Sequence, residues 1–204
     1  MSDCSRTVDD VRTFLQSSKG FDPQQMMRFY DSWAETYEQD HNLMSYRAPH
    51  LAVDFLSKNF SGSPAEAQVL DVTCGSGWVA KLMVKLGFRH FVGVDGSKGM
   101  LEQAAKTGLY QDLKLALLGP EPLPAPTGGY ICMSRVDPKS ESGNNYKVSL
   151  EKELQLMEEE GLWTHVDTKE MDKYMMTVHN NHNNNNKNEQ YFDGTMYLYR
   201  KSLN

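Results

Sequence analysis

"LDVTCGSGWVAKLMVKLG", Leu70 to Gly87, decides how the rest of the chain is read. It opens as an apolar strand that ends in an acid, Asp71. A Gly-x-Gly turn follows at Gly75 and Gly77, then a helix stopped by Gly87. Glycines in such a turn let the backbone approach a ligand that any side chain would hold off, and the free N–H groups of the helix start point at it. A nucleotide is the usual occupant.

The pattern on either side agrees. Strands at 68–72, 90–95 and 113–118 alternate with helices at 78–86 and 98–107. This β-α-β-α-β order predicts a doubly wound, Rossmann-like α/β sheet, mostly parallel, with helices on its faces. Upstream, residues 8–17 form a short amphipathic helix. A second helix starts at the Asp22 cap with Pro23 in its first turn, and "APHLAVDFLSKNF" is a third. "SGSP" at 61–64 breaks the helical run. We therefore expect a helical segment over 1–60 and an α/β domain over 61–204, forming one globular unit. Downstream come a strand at 130–135, a helix at 149–160 capped by Ser149, a strand at 162–168, a polar loop at 179–189 and an antiparallel last strand at 195–200.

Composition bounds the function. The 204 residues carry a net charge of −6, which gives no general attraction to nucleic acid. Cys4, Cys74 and Cys132 lack ligand spacing and read as free thiols. His179 and His182 sit in an asparagine run and read as loop, so no metal is expected. There is no signal-peptide pattern and no apolar run of membrane-spanning length. The expectation is a soluble cytoplasmic chain, with the nucleus left open, no membrane partner and an undetermined oligomeric state.

Eighteen residues after Gly77 stands Asp95, at the end of the second strand. An acid there suits a hydrogen bond to ribose hydroxyls. "GSGWVA" also fits a dinucleotide pattern, so a nicotinamide-dependent oxidoreductase is an alternative. Asp71 argues against it: an acid beside the turn repels a pyrophosphate and favours a cationic ligand. The plain alternative for these acids is a solvated, capped turn.

"VLDVTCGSG" followed by "FVGVDGSKGMLEQAAKTGLY" resembles the first two motifs of the class I S-adenosylmethionine-dependent methyltransferases. "YDSWAETYEQD", "YRAPHLAVDFL" and the ending "DGTMYLYRKS" extend the resemblance to roughly residues 8–135 and the C-terminal tail. It implies S-adenosylmethionine as cofactor. Asp71 and the loop Thr73, Cys74, Gly75 to Gly77 would hold the methionine portion. Asp95 would hold the ribose, with Gly96, Met100 and Leu118 beside the adenine. The N-terminal helices would close over it as a lid carrying Trp33 and Tyr37, with Tyr46 and Arg47 near the methionine carboxylate. Ordinary core packing is the competing account of the Met26, Tyr30, Trp33, Tyr37 stripe, and a surface charge that of Arg47.

The sequence departs from the family at one place. After "EPLPAPTGG" it runs directly into "YICMSR", which resembles the fifth strand. The fourth strand and its helix, roughly 35 residues by the family pattern, are missing. Eleven residues, four of them proline, separate Leu118 from Tyr130; extended, they cross roughly 35 Å. We expect strand 130–135 to close the gap by pairing, parallel, with strand 68–72. Two functions stay open: methyl transfer to an unknown acceptor, small molecule or protein, or a shortened form that binds the cofactor or a partner with impaired catalysis. Spacing nominates no general base.

Overall fold

A computed structural model of the chain describes residues 6–117, 128–137, 141–177 and 191–203. The elements run α1 (Val8–Gln16), α2 (Pro23–Trp33), α3 (Tyr37–Leu43), α4 (Ala48–Asn59), β1 (Gln68–Val72), α5 (Trp78–Lys85), β2 (His90–Asp95), α6 (Lys98–Lys106), β3 (Tyr110–Leu115), β4 (Tyr130–Asp137), α7 (Glu141–Glu159), β5 (Trp163–Met176) and β6 (Tyr191–Lys201). The Pro-rich linker, Leu118 and the asparagine run with His179 and His182 lie outside the described residues.

Helix starts follow local chemistry. Thr7 and Asp22 each close a capping box, with Asp10 and Gln25 reaching back to the cap N–H. Ser97 caps α6 by accepting from the Met100 N–H. Strand β3 starts at Tyr110, three residues before the expected start, because the chain is already extended once Gly108 (φ 66) has ended the preceding helix. Helix α7 likewise starts well before Ser149, and β5 runs on to Met176 over two register shifts.

The strands form two sheets. Parallel pairing gives β1-β2-β3, and antiparallel pairing gives β4-β6-β5. The expected position of the last strand, antiparallel between the two before it, holds: Ile131 faces Tyr199 on one side and His165 faces Tyr199 on the other. The expected repair does not occur. Among the described residues β1 pairs only with β2 and β4 only with β6, so the α/β fold carries a parallel sheet and an antiparallel sheet.

Helix α4 contacts both halves. Its Ala48 and Phe55 are buried against Met196 and Leu198 of the antiparallel sheet. Its Val53 packs with Ala80, Met83 and Phe91 of the parallel half. Phe60 follows, its ring 5.8 Å from Tyr130 and 5.4 Å from Phe88. The helix thus packs on both halves. Burying Phe55 alone stabilises by about 3 kcal/mol.

Candidate functional site

The site begins where β1 turns into α5. Gly75 (φ 54) and Gly77 (φ 80) both take the left-handed backbone. A Cβ on Gly77 would lie 3.1 Å from the Tyr110 ring and 3.3 Å from Thr107, so this position needs glycine on two counts. Around Gly75 the space is open. Thr73 also has positive φ, 57, which a β-branched side chain rarely tolerates. Its hydroxyl donates to the Val72 carbonyl at 2.6 Å.

Asp95, ending β2, ties this turn to the next helix. One carboxylate oxygen accepts from the Gly75 N–H and the other from the Ser97 N–H, both at 2.8 Å. Helix α2 closes the same corner. Asp31 accepts from the Ser97 hydroxyl at 2.6 Å and from the Gly99 N–H at 2.8 Å. A Cβ on Gly99 would sit 2.8 Å from the Asp31 carbonyl, so the helices touch backbone to backbone.

Between these parts lies a cleft of about 530 Å³, within the usual range for small-molecule sites. Thr73, Gly75, Val94, Asp95 and Gly96 form its floor. Met100, Ala116 and Leu117 flank one side. Met27, Tyr30, Tyr37 and Tyr46, from α2, α3 and the following turn, cover it. Burial pushes the Tyr37 and Tyr46 phenols up, so both stay neutral donors.

Of the residues singled out in the sequence, Tyr37, Tyr46, Thr73, Gly75, Asp95, Gly96 and Met100 are brought to the cleft. Asp71, Cys74, Gly77, Trp33 and Arg47 are placed behind or beside it, and Leu118 lies outside the described residues. Asp71 is buried under the turn and accepts from the Tyr110 hydroxyl at 2.6 Å. Burial, opposed by that bond and aided by the Asp95 charge, raises its carboxyl to about 6. Cys74 is buried, its thiol pushed up to about 12 by burial and the charges of Asp71 and Asp95. Trp33 is core: its indole N–H donates to the buried Asp40 at 2.7 Å and its ring stacks on His41. Arg47 points to the Asp172 carbonyl, 3.4 Å away.

Four contributors, Met27, Val94, Ala116 and Leu117, were not legible. Met27 lies one residue from the stripe position Met26, which points elsewhere on the helix. Ala116 and Leu117 follow from register: the Ala116 N–H donates to the Asp95 carbonyl at 3.0 Å, which places these two residues beside the acid.

The donor set fits an adenosyl amino acid. One carboxylate faces the cleft where ribose hydroxyls need an acceptor. Met27, Met100 and Leu117 offer apolar and sulfur surface to a flat base, and the open Gly75 leaves room for a chain along the turn. No Lys, Arg or His lines the cleft among the described residues, so a pyrophosphate would meet only a carboxylate.

The sequence profile of the family described as "Methyltransferase domain" matches residues 69–129. Methyltransferase-like protein 27 of Homo sapiens is 38% identical over 189 residues, covering 77% of this chain and 76% of the relative. Among solved structures, the [4+2]-cyclase SpnF superposes with a TM-score of 0.61 at 14% identity, over 89% of this chain and 96% of its own. Magnesium protoporphyrin IX methyltransferase from Synechocystis PCC 6803, solved with bound SAH, gives 0.53 at 11% identity over 95% and 100%.

Proposed function

This chain belongs to the family of methyltransferase-like protein 27, among the S-adenosylmethionine-dependent methyltransferases, and from that membership we propose that the cleft over Asp95 is where it holds its cofactor and presents it to an acceptor. The observation that carries the reading is Asp95, set at the end of β2, facing the cleft and tied to Gly75. Each of its oxygens spends one lone pair on a backbone N–H, which leaves another for a ribose hydroxyl. Met27, Met100 and Leu117 would enclose the adenine, and the Thr73–Gly75 turn would receive the amino-acid end. Helices α2 and α3 act as the cover that keeps water out, fixed by Asp31 of α2, which accepts from Ser97 and Gly99 at the start of α6, and by Glu38, which accepts from Ser76 and, at 2.7 Å, from Lys81.

Bound S-adenosylmethionine supplies an electrophilic methyl on a sulfonium. The protein's part is positioning and exclusion of water. Among the described residues lining the cleft, Asp95 is the one carboxylate and already accepts from two backbone donors, while burial keeps the Tyr37 and Tyr46 phenols neutral.

A second reading is favoured by the edges of β1 and β4 that have no strand partner among the described residues. In the family the strand between them helps wall the acceptor site, so its loss weakens turnover while sparing the cofactor cleft, which none of the antiparallel sheet lines. Transfer of a labelled methyl by the purified chain, beside the human relative as control, separates the two. Comparable turnover supports an enzyme. Cofactor binding without turnover supports the second reading, and no binding refutes both.

A further inference from the structure

Tyr46 stands in the turn between α3 and α4 and lines the cleft. Its place along the cleft follows from its neighbours. Burial, and after it the charge of Asp95, raises the Tyr30 phenol, whereas burial and then Tyr174, Tyr37 and Tyr30 raise that of Tyr46. Tyr46 is thus at the end away from Asp95, against the antiparallel sheet. Backbone bonds dock the turn there: the Arg47 N–H donates to the Tyr174 carbonyl and the Met176 N–H to the Met44 carbonyl, both at 2.9 Å. Strand β5 shifts register between Met171 and Met175, with Lys173 in the left-handed region (φ 53), and such irregularities re-aim side chains. Here Tyr174 is turned inward, 3% exposed, its ring 5.8 Å from that of Tyr46. The Tyr46 hydroxyl gives its hydrogen to the Tyr174 oxygen, and the Tyr174 hydroxyl donates to Ser134 at 3.2 Å. His41 holds the Tyr46 ring from another side, at 4.4 Å.

A phenol oxygen carries one hydrogen and two lone pairs. With its hydrogen taken by Tyr174, Tyr46 has lone pairs alone to turn towards the cleft. We propose that Tyr46 accepts a hydrogen bond from an N–H group at the methyl-transfer position, with Tyr174 as its positioning residue, so that the methyl acceptor this cleft fits is an amine nitrogen that carries a hydrogen. The inference rests on the cleft being the cofactor site and adds the side from which the acceptor arrives. Ribose at Asp95 and adenine at Met27, Met100 and Leu117 take one end of the cleft, so the sulfonium lies towards the other, where Tyr46 stands. An amine uses two features there: its N–H anchors on Tyr46 and its lone pair faces the methyl. The lone pair forms the C–N bond, the C–S electrons pass to sulfur and leave a neutral thioether, and the methylated ammonium releases a proton to water. A hydroxyl acceptor has to lose its proton during attack, and a neutral phenol that keeps its own hydrogen is a poor base for that.

The test is calorimetric, on the full chain, with two probes. S-adenosylhomocysteine has nothing at the transfer position; sinefungin carries an amine there on the same adenosyl amino-acid frame. The ratio of the two affinities cancels the contacts that both make, and a change in folding moves both alike. The parent should bind sinefungin about tenfold more tightly. Tyr46→Phe, which keeps the ring and removes the oxygen, should lower that ratio about tenfold. Tyr174→Phe, which frees the Tyr46 hydrogen to turn into the cleft, should lower it about threefold in the parent and leave it unchanged in the Tyr46→Phe background. A ratio near one in the parent, or an unaltered ratio in Tyr46→Phe, overturns the assignment of Tyr46. An equal effect of Tyr174→Phe in both backgrounds, or none in either, overturns the role of Tyr174. If the parent binds neither probe, the cofactor reading itself fails. Thermal unfolding of each variant shows that a folded protein is being titrated, and a Tyr46→Phe chain that is unfolded transfers the comparison to Tyr46→Leu.

Discussion

Replacing Asp95 by alanine removes two interactions at once. The carboxylate bonds the Gly75 and Ser97 N–H groups, each at 2.8 Å, and so couples the glycine turn to the start of α6. In the proposed complex it also accepts from the ribose. The ribose contact is a hydrogen bond to a charged group, worth roughly 1.5–3 kcal/mol, which corresponds to a 10- to 150-fold loss of S-adenosylhomocysteine affinity. The two backbone donors, half-exposed, cost about 1–2 kcal/mol together when left without their acceptor. For a chain of this size that lowers Tm by about 2–8 °C. Asp95→Asn separates the contributions, since an amide has one oxygen for two donors and turns N–H towards the other. Its stability loss should fall between parent and Asp95→Ala. Calorimetry with S-adenosylhomocysteine reads the affinity and thermal unfolding reads the fold. A folded Asp95→Ala protein that binds as tightly as the parent refutes the reasoning and removes Asp95 from the site.

Further outcomes follow from other residues. Thr73→Gly should raise Tm by a few degrees by relieving a strained residue; an unchanged or lower Tm means the backbone there is not strained. Asp71 has its folded-state carboxyl raised to about 6 by burial, above its ordinary value of 3.8, so the folded state holds a proton that the unfolded state gives up. Stability then falls as pH rises from about 4 to 6, by about 3 kcal/mol at most. Asp71→Asn, keeping an acceptor for Tyr110, should be more stable than the parent at pH 7.5 and no more stable at pH 4, and an equal gap at both values would refute this. His41 has the opposite sign. Burial lowers it to about 4, so its share of stability is present above about 6.5 and is lost as pH falls towards 4. His41→Gln should flatten the acid side of the stability profile, and an unaltered slope contradicts the assignment. A chain begun at Ser61 should fail to fold, because it lacks the α4 residues buried in both halves, whereas one begun at Ala48 should retain a cooperative transition by circular dichroism.

What the sequence made legible was what depends on short-range pattern. Strands β1 and β2 stand where apolar runs end in an acid, and the caps at Asp22 and Ser97 are local hydrogen bonds. Asp95, Gly75 and Thr73 came with them, because a turn fixes its own few residues. What failed depends on packing at long range. Pairing of β1 with β4 looked required by unpaired backbone groups. The described strands instead lie in separate sheets, and α4 is buried against both, a two-sided burial no periodicity shows. The Met26, Tyr30, Trp33, Tyr37 stripe divides. Tyr30 and Tyr37 reach the cleft, while Trp33 is captured by the buried Asp40, whose partners Arg6 and Thr36 complete a network that only tertiary structure reveals.

The central claim, that the cleft between the glycine turn, Asp95 and the N-terminal helices holds the cofactor, is tested most directly by a crystal structure of the full chain with S-adenosylhomocysteine. The account predicts ribose hydroxyls within hydrogen-bond distance of Asp95, the adenine against Met27, Met100 and Leu117, and the amino-acid end at Thr73 and Gly75. A ligand seated elsewhere, or a cleft left empty at saturating S-adenosylhomocysteine, would contradict it.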